Sequence, residues 1–94
     1  MASRLVVAMP EISRFLGIVI AMYYNEHNRP HFHARYGEFK IEIAIKTLAV
    51  LAGKLPPKAL GLVMEWATLH QDDLMVDWVL VRDNAELLHI EPLE

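Results

Sequence analysis

The chain of 94 residues contains no cysteine, which excludes several classes of site. It has no disulfide framework, no cysteine zinc site and no thiol nucleophile, and this fits a reducing cytoplasm. No apolar run reaches the roughly 18 to 20 residues of a membrane span, and the apolar run near the N-terminus is too short for a signal peptide. We therefore expect a cytoplasmic protein with no membrane contact.

Familiar catalytic motifs are also missing. The sequence has no glycine-rich phosphate loop, no His-Glu-x-x-His zinc motif, and no serine nucleophile beside a recognisable base. The net charge of −3 argues against a general nucleic-acid binder, which carries a basic surplus, so nucleic acid is expected only as a local contact. Any enzymatic activity would rest on histidine, arginine, tyrosine and carboxylates.

The hydrophobic residues make up 54% of the chain, enough for one small core. We predict one α+β domain over residues 9–94, with residues 1–8 as an N-terminal extension because Met9-Pro10 resembles an original start. Residues 10–15 would lead into a central, almost entirely apolar strand over about 16–24. Alternation over 31–36 and 38–46 predicts a hairpin that turns at Gly37, followed by a short strand over 47–51.

Helical spacing begins near Pro56-Pro57, and a second helix is predicted over about 73–82 with Asp72 as its N-cap. A last strand is expected over 87–90. The whole forms a mostly antiparallel sheet of four to five short strands, packed on one face by two helices. Trp66 and Trp78 should lie in the core, whereas Asp72, Asp73 and Asp77 would form a helix cap and a solvated face.

Three of the five histidines lie within Asn25–His33, which reads NEHNRPHFH. Residues two apart on a strand point to the same side, so His31, His33 and Arg35 should project together, away from the core. His27 could fold back over them from the loop. The predicted binding residues around this cluster are Tyr24, Asn25, His27, Asn28 and Arg29.

The histidine cluster leaves several functions open. No cofactor is required by the pattern, yet His27, His31 and His33 could bind zinc or another divalent metal with one coordination position free. Without metal, His31, His33 and Arg35 could support acid–base chemistry on a phosphodiester. The same residues also fit a surface that recognises a protein partner, or an ordinary turn followed by the solvent face of a strand.

Several strings resemble the small bacterial domain-of-unknown-function family 4160, and the resemblance covers nearly all of residues 9–94. They read MPEISRF at 9–15, NEHNRPHFH at 25–33, GKLPP at 53–57, WATLH at 66–70 and IEPL at 90–93. Similar proteins have Thr-Gly-Glu-Val where this chain has TLAV at 47–50, so a more apolar turn is expected here.

The resemblance implies a small protein often encoded beside a second small protein, as in toxin–antitoxin pairs. We therefore expect an interaction module that binds a partner encoded by a neighbouring gene, with homo-oligomerisation as a secondary expectation. A histidine-dependent nuclease-like or metal-binding activity at His27, His31 and His33 is the alternative.

Overall fold

The computed structural model describes residues 10–94, so the predicted extension over residues 1–8 lies outside the described part. Five strands precede two helices, and the α+β prediction is confirmed. The strands are β1 (Glu11–Phe15), β2 (Ile18–Ala21), β3 (His31–Tyr36), β4 (Phe39–Ala44) and β5 (Val50–Gly53). The helices are α1 (Pro57–Leu69) and α2 (Gln71–Arg82). The sheet is an antiparallel meander in the order β1-β2-β3-β4-β5.

The single central strand over 16–24 was a wrong prediction. Phe15 pairs with Ile18, and the residues between them have positive φ, +51° at Leu16 and +83° at Gly17. Positive φ at both central positions gives a tight two-residue turn whose twist matches the flanking strands. The supposed lead-in is therefore a strand, β1. Leu16 concealed the turn because a leucine rarely adopts positive φ.

The last strand of the sheet begins three residues later than predicted. Residues 45–47 form a turn, which the Leu48 amide closes by donating to the Ala44 carbonyl over 2.9 Å. Leu48, at φ +62°, packs its side chain against the core, which agrees with the expected apolar turn. At the far end of β5, a Cβ on Gly53 would lie 2.2 Å from the Lys40 carbonyl oxygen, so only glycine fits.

The helices cover one face of the sheet, as predicted. Trp66, fully buried on α1, contacts Phe15 and Phe32 with ring centroids 5.5 and 6.1 Å apart. Trp78 of α2 is also buried, so both tryptophans lie in the core. Phe39, at the start of β4, is 41% exposed. None of the helices within residues 10–94 is long and apolar enough to cross a membrane.

The second helix begins earlier than predicted, with His70 rather than Asp72 at its N-cap. Asp72 and Asp73 are exposed in the first turn, where their charge favours the helix dipole. Asp77 was predicted to lie on the solvated face, and this was wrong. It is completely buried, because the C-terminal segment folds over it and the Leu88 amide donates to its Oδ1 over 2.8 Å.

The C-terminal segment does not form the strand predicted over 87–90. It nevertheless returns to the sheet edge, where the Ile90 amide donates to the Ile12 carbonyl of β1 over 2.8 Å. The Trp66 indole donates to the Glu91 carbonyl, also over 2.8 Å. A single backbone bond to β1 is too little for a ladder, and side chains hold the rest of the segment.

Candidate metal centre

The loop between β2 and β3 is fixed at both ends. Asn25 adopts a φ of +73°, a left-handed conformation that asparagine tolerates better than most residues. The hydroxyl of Tyr24 donates to the Ala85 carbonyl beyond α2, over 2.8 Å. At the other end, the Pro30 carbonyl accepts from the Ile45 amide over 3.0 Å. The turn sends the chain back along β3, and this brings Glu26 over the first residues of that strand.

The carboxylate of Glu26 meets two imidazoles at one oxygen. Its Oε1 lies 2.8 Å from Nε2 of His31 and 3.1 Å from Nε2 of His33. The two imidazole rings meet edge to face, with centroids 5.1 Å apart. One potential ligand atom from each of the three residues lies within 4.8 Å of the others. Two histidines and a carboxylate are a donor set used by zinc and by non-haem iron.

His31 is the most tightly held of the three groups. Its ring is buried, and Nδ1 lies 2.9 Å from the Arg29 carbonyl oxygen, which can only accept a hydrogen bond. Nδ1 therefore carries the proton, and Nε2 is directed at Glu26. The ring also packs on Trp78, with centroids 5.2 Å apart. A backbone carbonyl that fixes the tautomer in this way is the usual support of a metal-binding histidine.

His33 occupies the accessible side of the group. Its side chain is 16% exposed, and the ring of Tyr23 meets it edge-on at a centroid distance of 4.3 Å. Across the ladder, His33 pairs with Glu42 of β4. Directly paired residues of an antiparallel sheet share a face, so Glu42 lies beside the site. The group is thus closed on the His31 side and open on the His33 side.

The separations within the group are close to those of a metal site. Both ring nitrogens of His31 face oxygen atoms, the Arg29 carbonyl at Nδ1 and the Glu26 carboxylate at Nε2. A divalent cation could take the place between Nε2 and the carboxylate. Metal bonds of 2.0 to 2.1 Å in a tetrahedron place ligand atoms about 3.3 Å apart. The two separations from the Glu26 oxygen, 2.8 and 3.1 Å, would need to open by a few tenths of an ångström, and the third separation, between the imidazole nitrogens, lies within 4.8 Å.

The residues predicted from the sequence are only partly brought together. His31 and His33 meet as expected, but His27 is exposed and is not part of the group, whose third member is Glu26. The expectation that His31 faces away from the domain was also wrong, since it is only 3% exposed. Arg35 follows His33 on the same face of β3, outside the three-residue group.

The other predicted binding residues have separate roles. Tyr24 anchors the loop and Asn25 makes its turn. Asn28 and Arg29, together with His31, line a cavity of about 380 Å³ that Glu42 and Leu51 complete. Asn28 and Arg29 therefore border the site, and Arg29 supports it through the backbone carbonyl that accepts from His31.

Sequence reasoning missed three residues that build the site. Glu26 is the only carboxylate between Asn25 and Gly37, which was the available signal, but its return over the strand depends on the turn at Asn25. Tyr23, rather than Tyr24, contacts a histidine. Trp78 packs on His31 from 47 positions away, and no local pattern indicates such a contact.

A family model described as a domain of unknown function (DUF4160) matches residues 17–79. The matched part contains all three members of the candidate centre, and it extends from the turn before β2 into α2. No curated protein and no solved structure matches the chain significantly.

Proposed function

The chain belongs to the domain-of-unknown-function family DUF4160, and we propose that it binds a divalent metal ion through Glu26, His31 and His33. The observation that carries the proposal is the approach of two imidazole Nε2 atoms to one carboxylate oxygen, at 2.8 and 3.1 Å. Zinc is the first candidate because two histidines and one glutamate are an established zinc donor set.

The surroundings support metal binding over a purely structural hydrogen-bond cluster. The two histidines, two residues apart on β3, bring both Nε2 atoms to one oxygen of Glu26, which gathers three possible ligand atoms at one point. The Arg29 carbonyl and Trp78 hold His31 before any ion arrives. Three protein ligands leave a fourth position free, on the side where His33 is exposed.

A free coordination position would allow the centre to catalyse a reaction as well as to bind a metal ion. A water molecule bound to zinc has a strongly lowered pKa and becomes a nucleophile at neutral pH. The nuclease-like activity expected from the histidines would therefore use His31 and His33 as metal ligands rather than as acid and base. Arg35, on the same face of β3, stays the predicted charge-stabilising residue for such a reaction.

The test compares two adjacent loop residues of the full-length protein. Purified protein is freed of metal with a chelator, and zinc is then titrated calorimetrically into the wild type, Glu26→Gln and His27→Gln. We expect one zinc per chain in the wild type, at least about 100-fold weaker binding in Glu26→Gln, and wild-type binding in His27→Gln.

The matched histidine variant makes the result specific, because His27 neighbours Glu26 and is exposed. Equal zinc affinity in the wild type and Glu26→Gln would contradict the proposal, as would loss of binding in His27→Gln alone. Absence of binding in the wild type for zinc, manganese and iron(II) would also contradict it. Circular dichroism spectra of the three proteins establish that each is folded.

A second candidate function is the binding of a small protein partner, as in a toxin–antitoxin-like pair. It is supported by an apolar patch on α2 and the C-terminal segment, formed by Val76, Val79 and Leu88, which are 48%, 53% and 59% exposed. Val76 and Leu88 line one cleft. Exposed apolar side chains that lie together are typical of interaction surfaces.

The partner hypothesis is tested by co-expression with the product of the neighbouring gene. We expect the two proteins to co-purify, and Val76→Glu/Val79→Glu to abolish the complex. Glu65→Gln, an exposed substitution on α1, should leave it intact. A wild type that elutes alone, with a mass that fits a monomer or a self-associated form, would contradict this function and would determine the oligomeric state.

A further inference from the structure

The open face of the sheet carries positive charge next to the candidate metal centre. Cross-strand pairing places Arg14, Val19, Arg35 and Lys40 in one row across the first four strands. The adjacent row contains His33, paired with Glu42. Residues two apart on a strand are roughly 6.5 to 7 Å apart, so Arg35 lies one side-chain length from a proposed metal ligand.

Two adjoining depressions connect these rows, and they share the side chains of Tyr23, His33 and Lys40. The smaller, of about 20 Å³, is completed by Arg35 and apolar residues of β2 and β3, and it has room for one group the size of a water molecule. The larger, of about 250 Å³, extends over Glu42 towards β5. A ligand could therefore place a small head beside Arg35 and the rest of its body in the larger depression.

The balance of charge on this face favours an anion. Glu11 accepts two hydrogen bonds from the Arg14 guanidinium, at 2.8 and 3.0 Å, and these bonds lower the pKa of its carboxyl. The nearby charge of Arg35 adds to that effect, so Glu11 is already shared between two cations. Lys40 is exposed, and Glu42 is the acid paired with His33 across the ladder. The smaller depression itself is lined by the two cations Arg35 and Lys40 and by no acidic residue.

We propose that Arg35 and Lys40 form a phosphate subsite, in which a phosphate group bridges these two side chains and the metal held by Glu26, His31 and His33. The guanidinium donates to a phosphate oxygen that occupies the smaller depression, whereas the ammonium acts as a point charge. The free coordination position of the metal takes another oxygen. The inference rests on the proposed metal centre and specifies its ligand class, which is free phosphate or a phosphate ester.

The test uses zinc-loaded, full-length protein and measures zinc and phosphate binding separately. Inorganic phosphate and adenosine monophosphate are titrated into the wild type, Arg35→Gln, Lys40→Gln and the control Lys58→Gln, whose lysine lies on α1. We expect the dissociation constant for phosphate to rise about tenfold in Arg35→Gln and in Lys40→Gln, and to be unchanged in Lys58→Gln. Zinc affinity should stay within about twofold in all four proteins.

Removal of a negative charge provides a second readout with the opposite sign. Glu42→Gln neutralises the carboxylate beside His33, so phosphate should bind about two- to fivefold more tightly in that variant. Equal affinity for inorganic phosphate and the nucleotide identifies free phosphate as the ligand, whereas tighter nucleotide binding identifies a phosphate ester. Either result supports the subsite.

Other outcomes overturn it. If zinc binds but phosphate does not, or if Arg35→Gln and Lys40→Gln bind phosphate as the wild type does, the subsite is refuted and the metal centre is unaffected. Equal weakening in Lys58→Gln would show a general charge effect and would also refute it. If zinc does not bind to the wild type, the metal centre and the bridging subsite both fall.

Discussion

Two histidine–carboxylate pairs in this protein look alike and differ in what they can do. His31 lies 2.8 Å from Glu26 and packs on Trp78, and His70 lies 3.4 Å from Asp73 and packs on Trp66. The tryptophan centroid distances are almost equal, at 5.2 and 5.3 Å. Packing of an imidazole on an indole therefore does not distinguish a ligand site from a structural contact.

The difference lies in how many groups share the carboxylate and how firmly they are held. Glu26 serves two imidazoles, and the second nitrogen of His31 is fixed by a backbone carbonyl. Asp73 faces one ring across 3.4 Å, and its side chain is 63% exposed. The first pair is therefore held by more groups than the second. The second stabilises the junction of α1 and α2 weakly, as exposed ion pairs do.

Replacement of each histidine by phenylalanine should separate the pairs most strongly. In His31→Phe the ring can still pack on Trp78, but position 31 no longer offers a nitrogen to the metal, so zinc affinity should fall by at least about 100-fold. His70→Phe should leave zinc affinity unchanged. Isothermal titration of both variants checks this, and equal zinc affinity in the two would refute the distinction between the pairs.

The next largest expected effect is the pH dependence of zinc binding. An imidazole nitrogen binds a metal ion only when it is deprotonated, so zinc affinity should fall as the pH is lowered below neutrality. Calorimetry in two buffers with different ionisation enthalpies counts the protons released. His70→Phe should release the same number as the wild type. A zinc affinity independent of pH between 6 and 7 would contradict ligation of the ion by the two imidazoles.

The sequence-based prediction was most accurate where the signal came from residues close together in the sequence. The β3–β4 hairpin was predicted with its turn at Gly37 because strict alternation is a local signal. The β1–β2 hairpin was missed because Leu16 adopts positive φ in an apolar run. Both tryptophans were assigned to the core correctly from helical spacing alone. Periodicity thus predicted the layers of the fold. It could not predict a residue with an unusual backbone conformation, such as the positive φ of Leu16.

The candidate site was predicted in part for the same reason. Strand alternation brings His31 and His33 to one side, and this was predictable from their spacing. The third member depends on the loop path, which turns at Asn25 and places Glu26, rather than His27, over the strand. The burial of His31 depends on α2, a distant element. A residue's partners across the fold cannot be derived from periodicity.

Asp77 is a buried carboxylate that no imidazole hydrogen-bonds, in contrast to Glu26. Burial raises the pKa of Asp77 above its ordinary value of 3.8, and the bond from the Leu88 amide opposes this only in part. The unfolded chain therefore ionises first, and the contribution of Asp77 to the free energy of unfolding falls as pH rises from 3.8 through the raised pKa.

Two substitutions test the role of Asp77. Asp77→Asn keeps an acceptor for Leu88 and removes the ionisation, so its free energy of unfolding relative to the wild type should increase as pH rises. Asp77→Ala leaves the Leu88 amide unpaired and should cost about 2 kcal/mol. Urea denaturation between pH 4 and 7 measures both. A constant difference between wild type and Asp77→Asn across that range would contradict the raised pKa.

The smallest expected effect on stability is that of a substitution in the His70–Asp73 pair. Asp73→Asn removes the charge that faces His70, but because this carboxylate is mostly exposed and 3.4 Å away, the free energy of unfolding should change by less than about 0.5 kcal/mol. In the metal-free protein, Glu26→Gln should cost about 1.5 kcal/mol or more, since it breaks a charge-assisted bond to a buried ring. Chemical denaturation of both variants at neutral pH gives the two values. The His31–Glu26 pair differs from the His70–Asp73 pair in having a second imidazole, that of His33, and a backbone carbonyl that fixes the His31 ring. If the two substitutions lowered the free energy of unfolding equally, these two features would add nothing to stability.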